Sequence, residues 1–281
     1  FTVDGQDGIH MPIGMHGFRL EVEAHIITAA AATVENIRQA VSSAGVQTAQ
    51  FVLNPLASGE VVLSETERQM GAVVVDIGAG TTSMAVYIDG DVWHTHVLGI
   101  GGSMITSDIA HGLRLPISQA EEIKLQHGFA LMEEVSEDDK FTIRAFGEDQ
   151  PIQVSRRELA EIIEARVEEI FSLLIQEIKR SGYDGLLPAG MVLTGGTAQL
   201  PGIRNLASSI MNLPVRVARP ENLLGLTDQL LAPPYSTSVG LLYWALMMSE
   251  SALSPQKRSS LKTKDLIRWD QLKEFLKRLL P

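Results

Sequence analysis

The chain has 281 residues, of which 45% are hydrophobic, 20% are charged and none is cysteine. That length and apolar content bury a sizeable core in about two domains and exclude global disorder, while the lack of cysteine removes disulfide scaffolds and thiolate metal sites and fits a reducing compartment. A net charge of −11 argues against a general nucleic-acid binder, and neither a run of eighteen apolar residues nor a signal-peptide pattern is found.

In chain order, RLEVEAHIIT (19–28), ATVENIRQAVSSAG (32–45) and VQTAQFVL (46–53) predict strand, helix and strand, the rhythm of an α/β unit. The chain opens on Phe1 in mid-pattern, so an upstream portion is expected. NPLASGEVVLSETERQMG (54–71) reads as a loop in which Ser64 to Glu67 fits a capping box before a short helix. VVVDIGAGTTSMAVYIDG (73–90) predicts two strands joined by a tight turn. HTHVLGIGG (94–102) then leads into a helix at SMITSDIAHGL (103–113). Residues 118–182 are mostly helical and charged, with a hairpin near 140–154 and the longest amphipathic run at 158–182. A strand, turn and helix follow at 189–212, a buried helix at 235–250, and a Ser-, Pro- and Lys-rich linker from Ser249 to Thr263. No internal repeat stands out.

Asp76-Ile-Gly78-Ala-Gly80-Thr81-Thr82 ends an apolar strand in bare backbone, which makes an anion-binding nest to which two threonines add donors. Asp76 beside phosphates would repel them unless a Mg²⁺, held through its waters, lay between. The alternative is an ordinary glycine hairpin. Gly101-Gly102 and Gly195-Gly196-Thr197 also follow apolar strands and open helices, so three such turns would face one cleft. Glu121 and Lys124 lie on one helix face, either to hydrogen-bond a ribose and purine or as a solvated ion pair. His94 and His96 point to the same face of a strand with no third metal ligand nearby in sequence. The methionines, Met247 and Met248 included, read as core filler. No Ser-His-Asp or Cys-His arrangement is present.

DIGAGTT, GIGG, AEEIK, VLTGGTAQLPGI and PYSTSVGLL, in this order and spacing, resemble the actin-like ATPase superfamily. GMHGFRLEVEAHIIT, NPLASGEVVLSETERQMG, TSDIAHGLRLPISQAEEIK and LLGLTDQLLAPPYSTSVGLL narrow the resemblance to the FtsA family of bacterial cell-division proteins, over nearly the whole chain. It implies an α/β actin-like (ribonuclease H-like) ATPase fold whose first phosphate turn would precede Phe1. Residues 1–53 would be the remainder of the family's inserted subdomain, 54–112 and 183–249 the nucleotide-binding core, and 113–182 a helical subdomain. The linker is placed at 250–265 and the tail at 266–281. ATP and Mg²⁺ are the implied ligands, held by Asp76, Gly78, Gly80, Thr81, Thr82, Gly101, Gly102, Glu121, Lys124, Gly195, Gly196 and Thr197. Where relatives carry an acidic residue that orients the attacking water, this chain has Asn54, which cannot accept a proton as a carboxylate does, so slow or negligible hydrolysis is expected.

The resemblance also implies filament self-association, contact with other division proteins, and docking of the C-terminal tail of FtsZ, the tubulin-like division protein. Arg166, Lys179 and Arg180 match basic positions for that tail. From Lys257 onward basic residues exceed acidic ones by five, leaving −16 on the body. A helix over 266–280, about 22 Å long, gathers Leu266, Trp269, Leu272, Phe275, Leu276, Leu279 and Leu280 into an apolar stripe that suits an anionic membrane surface better than a span. The implied location is peripheral, on the cytoplasmic face of the membrane at the division septum. A small-molecule kinase of the same superfamily is the alternative, and the basic amphipathic tail weighs against it. A chaperone-type ATPase would need a further peptide-binding domain after the linker.

Overall fold

The computed structural model of the protein describes residues 1–148, 150–221, 223 and 228–252. The N-terminal region supplies β1 (Thr2–Val3), β2 (Leu20–Glu21) and α1 (Ala31–Ser43). The predicted helix is present, but β1 and β2 pair over only two residues and the two longer predicted strands do not form. Alternating apolar residues make a strand only beside a neighbour that takes up their backbone hydrogen bonds. No described strand runs alongside residues 22–30 or 46–53, and Val22 and Ile26 stay exposed.

The segment read as a loop is instead α2 (Asn54–Val62), with Pro55 in its first turn, followed by α3 (Glu65–Met70). The capping box at α3 is present: Ser64 Oγ accepts from the Glu67 amide, and the Ser64 amide donates to Glu67 Oε2 at 2.8 Å. Next come β3 (Ala72–Ile77), β4 (Thr82–Ile88), β5 (Asp91–Leu98), α4 (Gly102–Gly112), α5 (Ile117–His127) and the hairpin β6 (Lys140–Ile143) and β7 (Ile152–Ser155). The chain then forms α6 (Arg156–Ser181), β8 (Gly190–Thr194), α7 (Ile203–Met211), β9 (Val215–Val217) and α8 (Ser236–Ala252).

Five strands form the central sheet in the order β5-β4-β3-β8-β9, antiparallel from β5 to β3 and parallel from β3 to β9. β3 and β8 are buried throughout, as befits strands covered on both faces. The two-residue period sorts their side chains. Val73, Val75 and Ile77, with Met84, Val86 and Leu193, meet Ile105 and Ile109 of α4 and Ile163, Val167, Ile170 and Leu174 of α6. Val74, Ala85, Tyr87 and Val192 meet Val61 and Val62 of α2 and Val239 of α8. Among the described residues the helical segment 113–182 shares the first of these clusters and has no core of its own.

Glu67 also fastens α3 to the sheet edge, because Arg216 Nε and Nη2 donate to its two oxygens at 2.6 and 2.7 Å. Arg216 first, and the Ser64 amide after it, outweigh desolvation and hold the carboxyl down to about 2. A depressed carboxyl stabilises the fold above its unfolded value near 4.5, and that stability is lost as pH falls toward about 2. Discounted for solvent screening, Glu67→Gln is expected to lower unfolding free energy by about 1–2 kcal/mol at neutral pH. In urea titrations the deficit should shrink through that acid window.

Candidate functional site

Three turns meet at one end of the sheet. The β3–β4 turn closes with the Gly78 amide on Thr81 O at 2.9 Å. The first turn of α4 docks onto it, since the Gly102 and Ser103 amides donate to Gly78 O and Ala79 O at 2.9 and 2.8 Å, and Ser103 Oγ reaches Ala79 O at 2.6 Å. Thr197 Oγ1, from the turn after β8, donates to the same Gly78 carbonyl at 3.1 Å. The three glycine turns thus interlock.

Beside them lies a cleft of about 550 Å³ whose lining includes Ala79, Gly102, Glu121, Lys124, Gly196 and Thr197. Lys124 Nζ donates to Glu121 Oε2 at 2.7 Å, to Thr106 Oγ1 at 2.8 Å and to Gly102 O at 3.1 Å, while Thr106 donates to Glu121. Burial would raise the Glu121 carboxyl, but hydrogen bonds from Lys124 and Thr106 outweigh it and hold the group below its usual range. Within the pair Lys124 is largely buried while the Glu121 side chain stays 44% exposed. The pair is tied to the first turn of α4 and stands as a charged acceptor and donor at the cleft wall.

Some predicted donors are spent within the protein. Thr82 is fully buried and its hydroxyl donates to Ile100 O at 2.8 Å, so it is not offered to an anion. The Gly102 and Ser103 amides hold the turns together, which corrects the expectation that the start of α4 presents free donors. The amides of Gly80, Thr81, Gly196 and Thr197, by contrast, donate to no backbone carbonyl among the described residues.

Asp76 falls on the opposite side from the cleft, because its register directs it with Val74 toward α2 and α8. Thr237 Oγ1, in the first turn of α8, donates to its Oδ2 at 2.6 Å. Burial raises the carboxyl and the hydroxyls of Thr237 and Ser58 pull it down, with burial prevailing. A buried carboxylate held this way gains from a cation at close range. Asn54, one turn before Ser58 on α2, lies on the same helix face.

Arg166 is gripped by Asp108, with Nε to Oδ2 at 2.6 Å and Nη2 to Oδ1 at 2.9 Å, and also pairs with Glu169. Arg180 pairs with Glu177, and Lys179 is exposed beside it. Leu266, Trp269, Leu272, Phe275, Leu276 and Leu279, like the linker from residue 253 on, lie outside the described residues. Among the described residues no helix is long and apolar enough to cross a membrane.

A sheet of this order, with interlocked glycine turns at its end, defines a protein of the actin-like ATPase fold. Solved structures agree. MreB5 of Spiroplasma citri, bound to ADP, is 16% identical, with a TM-score of 0.65 over 80% of this chain and 68% of that one. The MamK double helical filament is 19% identical, with a TM-score of 0.56 over 78% and 66%.

The chain belongs to the FtsA family. A family model described as "Cell division protein FtsA" matches residues 73–240, and one described as "SHS2 domain inserted in FTSA" matches residues 1–28. The cell division protein FtsA of Pseudomonas aeruginosa is 41% identical over 254 residues, 90% of this chain and 61% of that protein. Those of Neisseria meningitidis and Escherichia coli are each 40% identical, over 91% and 87% of this chain. The chain spans about 60% of the length of these relatives.

Proposed function

We propose that the cleft holds ATP and that the chain uses it as an assembly ligand in bacterial cell division. The observation that carries this reading is the convergence of three glycine turns and the Glu121–Lys124 pair on one cleft. Glu121 and Lys124 would take the ribose and purine. The free amides of Gly80, Thr81, Gly196 and Thr197 would take the phosphates. Asp76 would hold the waters of a Mg²⁺ reached across the β3–β4 turn, and that ion would neutralise the phosphate charge. Asn54 in place of a carboxylate supports slow or negligible turnover, so the nucleotide favours whichever conformation binds it better.

The same reading extends to partners. Filament formation places further copies of the chain end to end. Lys179 and Arg180 on the last turn of α6 suit the acidic C-terminal tail of FtsZ, whereas Arg166 would have to exchange Asp108 and Glu169 for it. The basic amphipathic tail would lay the protein on the cytoplasmic membrane surface at the septum, where it tethers FtsZ.

The nucleotide assignment is tested by comparing ATP with inorganic tripolyphosphate. Glu121→Ala is expected to weaken ATP binding about tenfold while leaving tripolyphosphate unchanged, since the lost hydrogen bonds to a charged group are worth about 1.5 kcal/mol. Equal losses for both ligands would remove Glu121 from the nucleoside end.

A further inference from the structure

The third metal ligand absent from the local sequence is supplied by the fold. His94 and His96 pair with Val86 and Met84 of β4, whose side chains face the α6 layer, so both imidazoles point toward α6. Glu177 meets them there. Its side chain is only 8% exposed, within the apolar stripe that ends at Ile178. Glu177 Oε1 lies 3.1 Å from His94 Nε2 and 3.2 Å from His96 Nδ1, and the three ligand atoms all fall within 4.8 Å of one another.

We propose that His94, His96 and Glu177 form a binding site for one zinc-class divalent cation, which clasps the edge strand β5 to the C-terminal turns of α6. A tetrahedral ion with bonds of about 2.0–2.1 Å sets its ligand atoms roughly 3.3 Å apart, close to the two separations seen here. Two imidazoles and one carboxylate suit zinc and its transition-metal neighbours. Mg²⁺ and Ca²⁺ take oxygen cages instead. Without an ion, Glu177 Oε1 lies within hydrogen-bond distance of His94 Nε2; with an ion, the same three atoms become ligands, each imidazole keeping its N–H on the other ring nitrogen. Arg180 Nη2 spans the carboxylate, donating to Glu177 Oε1 at 3.0 Å and lying 2.8 Å from Oε2, and so orients it from outside, while the guanidinium, 73% exposed, keeps its charge in solvent. His25 flanks the cluster with its ring 6.5 Å from that of His94, but its Nε2 is engaged by the Thr95 hydroxyl at 3.0 Å. The fourth position therefore goes to water.

The test uses the whole 281-residue chain, stripped with a chelator and titrated with Zn²⁺ by calorimetry and with Co²⁺ by visible absorption. One Zn²⁺ per chain with a Kd on the order of micromolar or tighter is expected, together with an intense tetrahedral Co²⁺ spectrum and no competition from millimolar Mg²⁺. His96→Gln and Glu177→Gln should each weaken Zn²⁺ at least tenfold. Both keep hydrogen-bonding groups in place, and circular dichroism in chelator checks the fold. His10→Gln with His16→Gln, at exposed positions far from the cluster in sequence, should change nothing. The proposal is overturned by Zn²⁺ binding no tighter than about 100 μM, by a weak octahedral Co²⁺ spectrum, or by equal losses in the control and the cluster variants.

Discussion

Gly240→Ala is expected to cost about 3 kcal/mol of stability. Gly240 lies in α8 where that helix crosses α2, and a Cβ added there would sit 1.8 Å from Ala57 O and 2.3 Å from the Ala57 carbonyl carbon. Both are backbone atoms, so no side chain can swing aside. The two helices must separate, and Val61, Val62 and Val239 then lose contact with the sheet face they cover. The same shift moves Thr237 and Ser58, which flank Asp76, so metal-dependent nucleotide binding should weaken along with the fold. Urea titration checks the first outcome. A loss below about 1 kcal/mol would mean that the α2–α8 seam is more compliant than this close approach allows.

Gly195→Ala should cripple the cleft more directly. Gly195 holds φ 89° and ψ 168°, a conformation that essentially only glycine adopts, at a cost to any other residue of about 1–3 kcal/mol. Its Cβ would also come within 2.5 Å of both Asp76 Oδ1 and Ile77 O. The backbone must therefore leave this conformation, carrying the Gly196 and Thr197 amides with it and breaking the Thr197 hydrogen bond to Gly78 O. ATP affinity is expected to fall at least tenfold, with stability lowered by about 2 kcal/mol or more. Titration of the variant with ATP and Mg²⁺ measures the first, and denaturant melts the second. Retention of full affinity would show that the turn after β8 does not take part.

The strands and turns of the site were legible because their signals are local. Four apolar residues before Asp76 and the bare backbone after it predict β3, its turn and β4, and the apolar spacing along 158–182 predicts α6 with its core-facing stripe. The Ser64–Glu67 capping box was equally readable, since both partners lie within four residues. Helix α2 was missed because it is buried through small residues, Ala57, Ser58 and Gly59 among them, which leave no amphipathic period to find. The N-terminal strands were overread for the opposite reason: their alternation is genuine, but a strand exists only in its pairing. Thr82 illustrates a third limit. Its place on the glycine turn makes it read as a phosphate donor, and only the fold shows that its hydroxyl is spent on Ile100 O. Glu177 lies 83 residues from His94, so nothing in the local pattern could join it to the two histidines.

Amide hydrogen exchange of the intact chain with and without ATP and Mg²⁺ tests the central claim most directly. If one nucleotide is held between the two turns whose amides are free, exchange should slow together at Gly80–Thr81 and at Gly196–Thr197, with a common half-saturation. Protection at only one of these turns, or at none while ATP is bound elsewhere, would contradict the account.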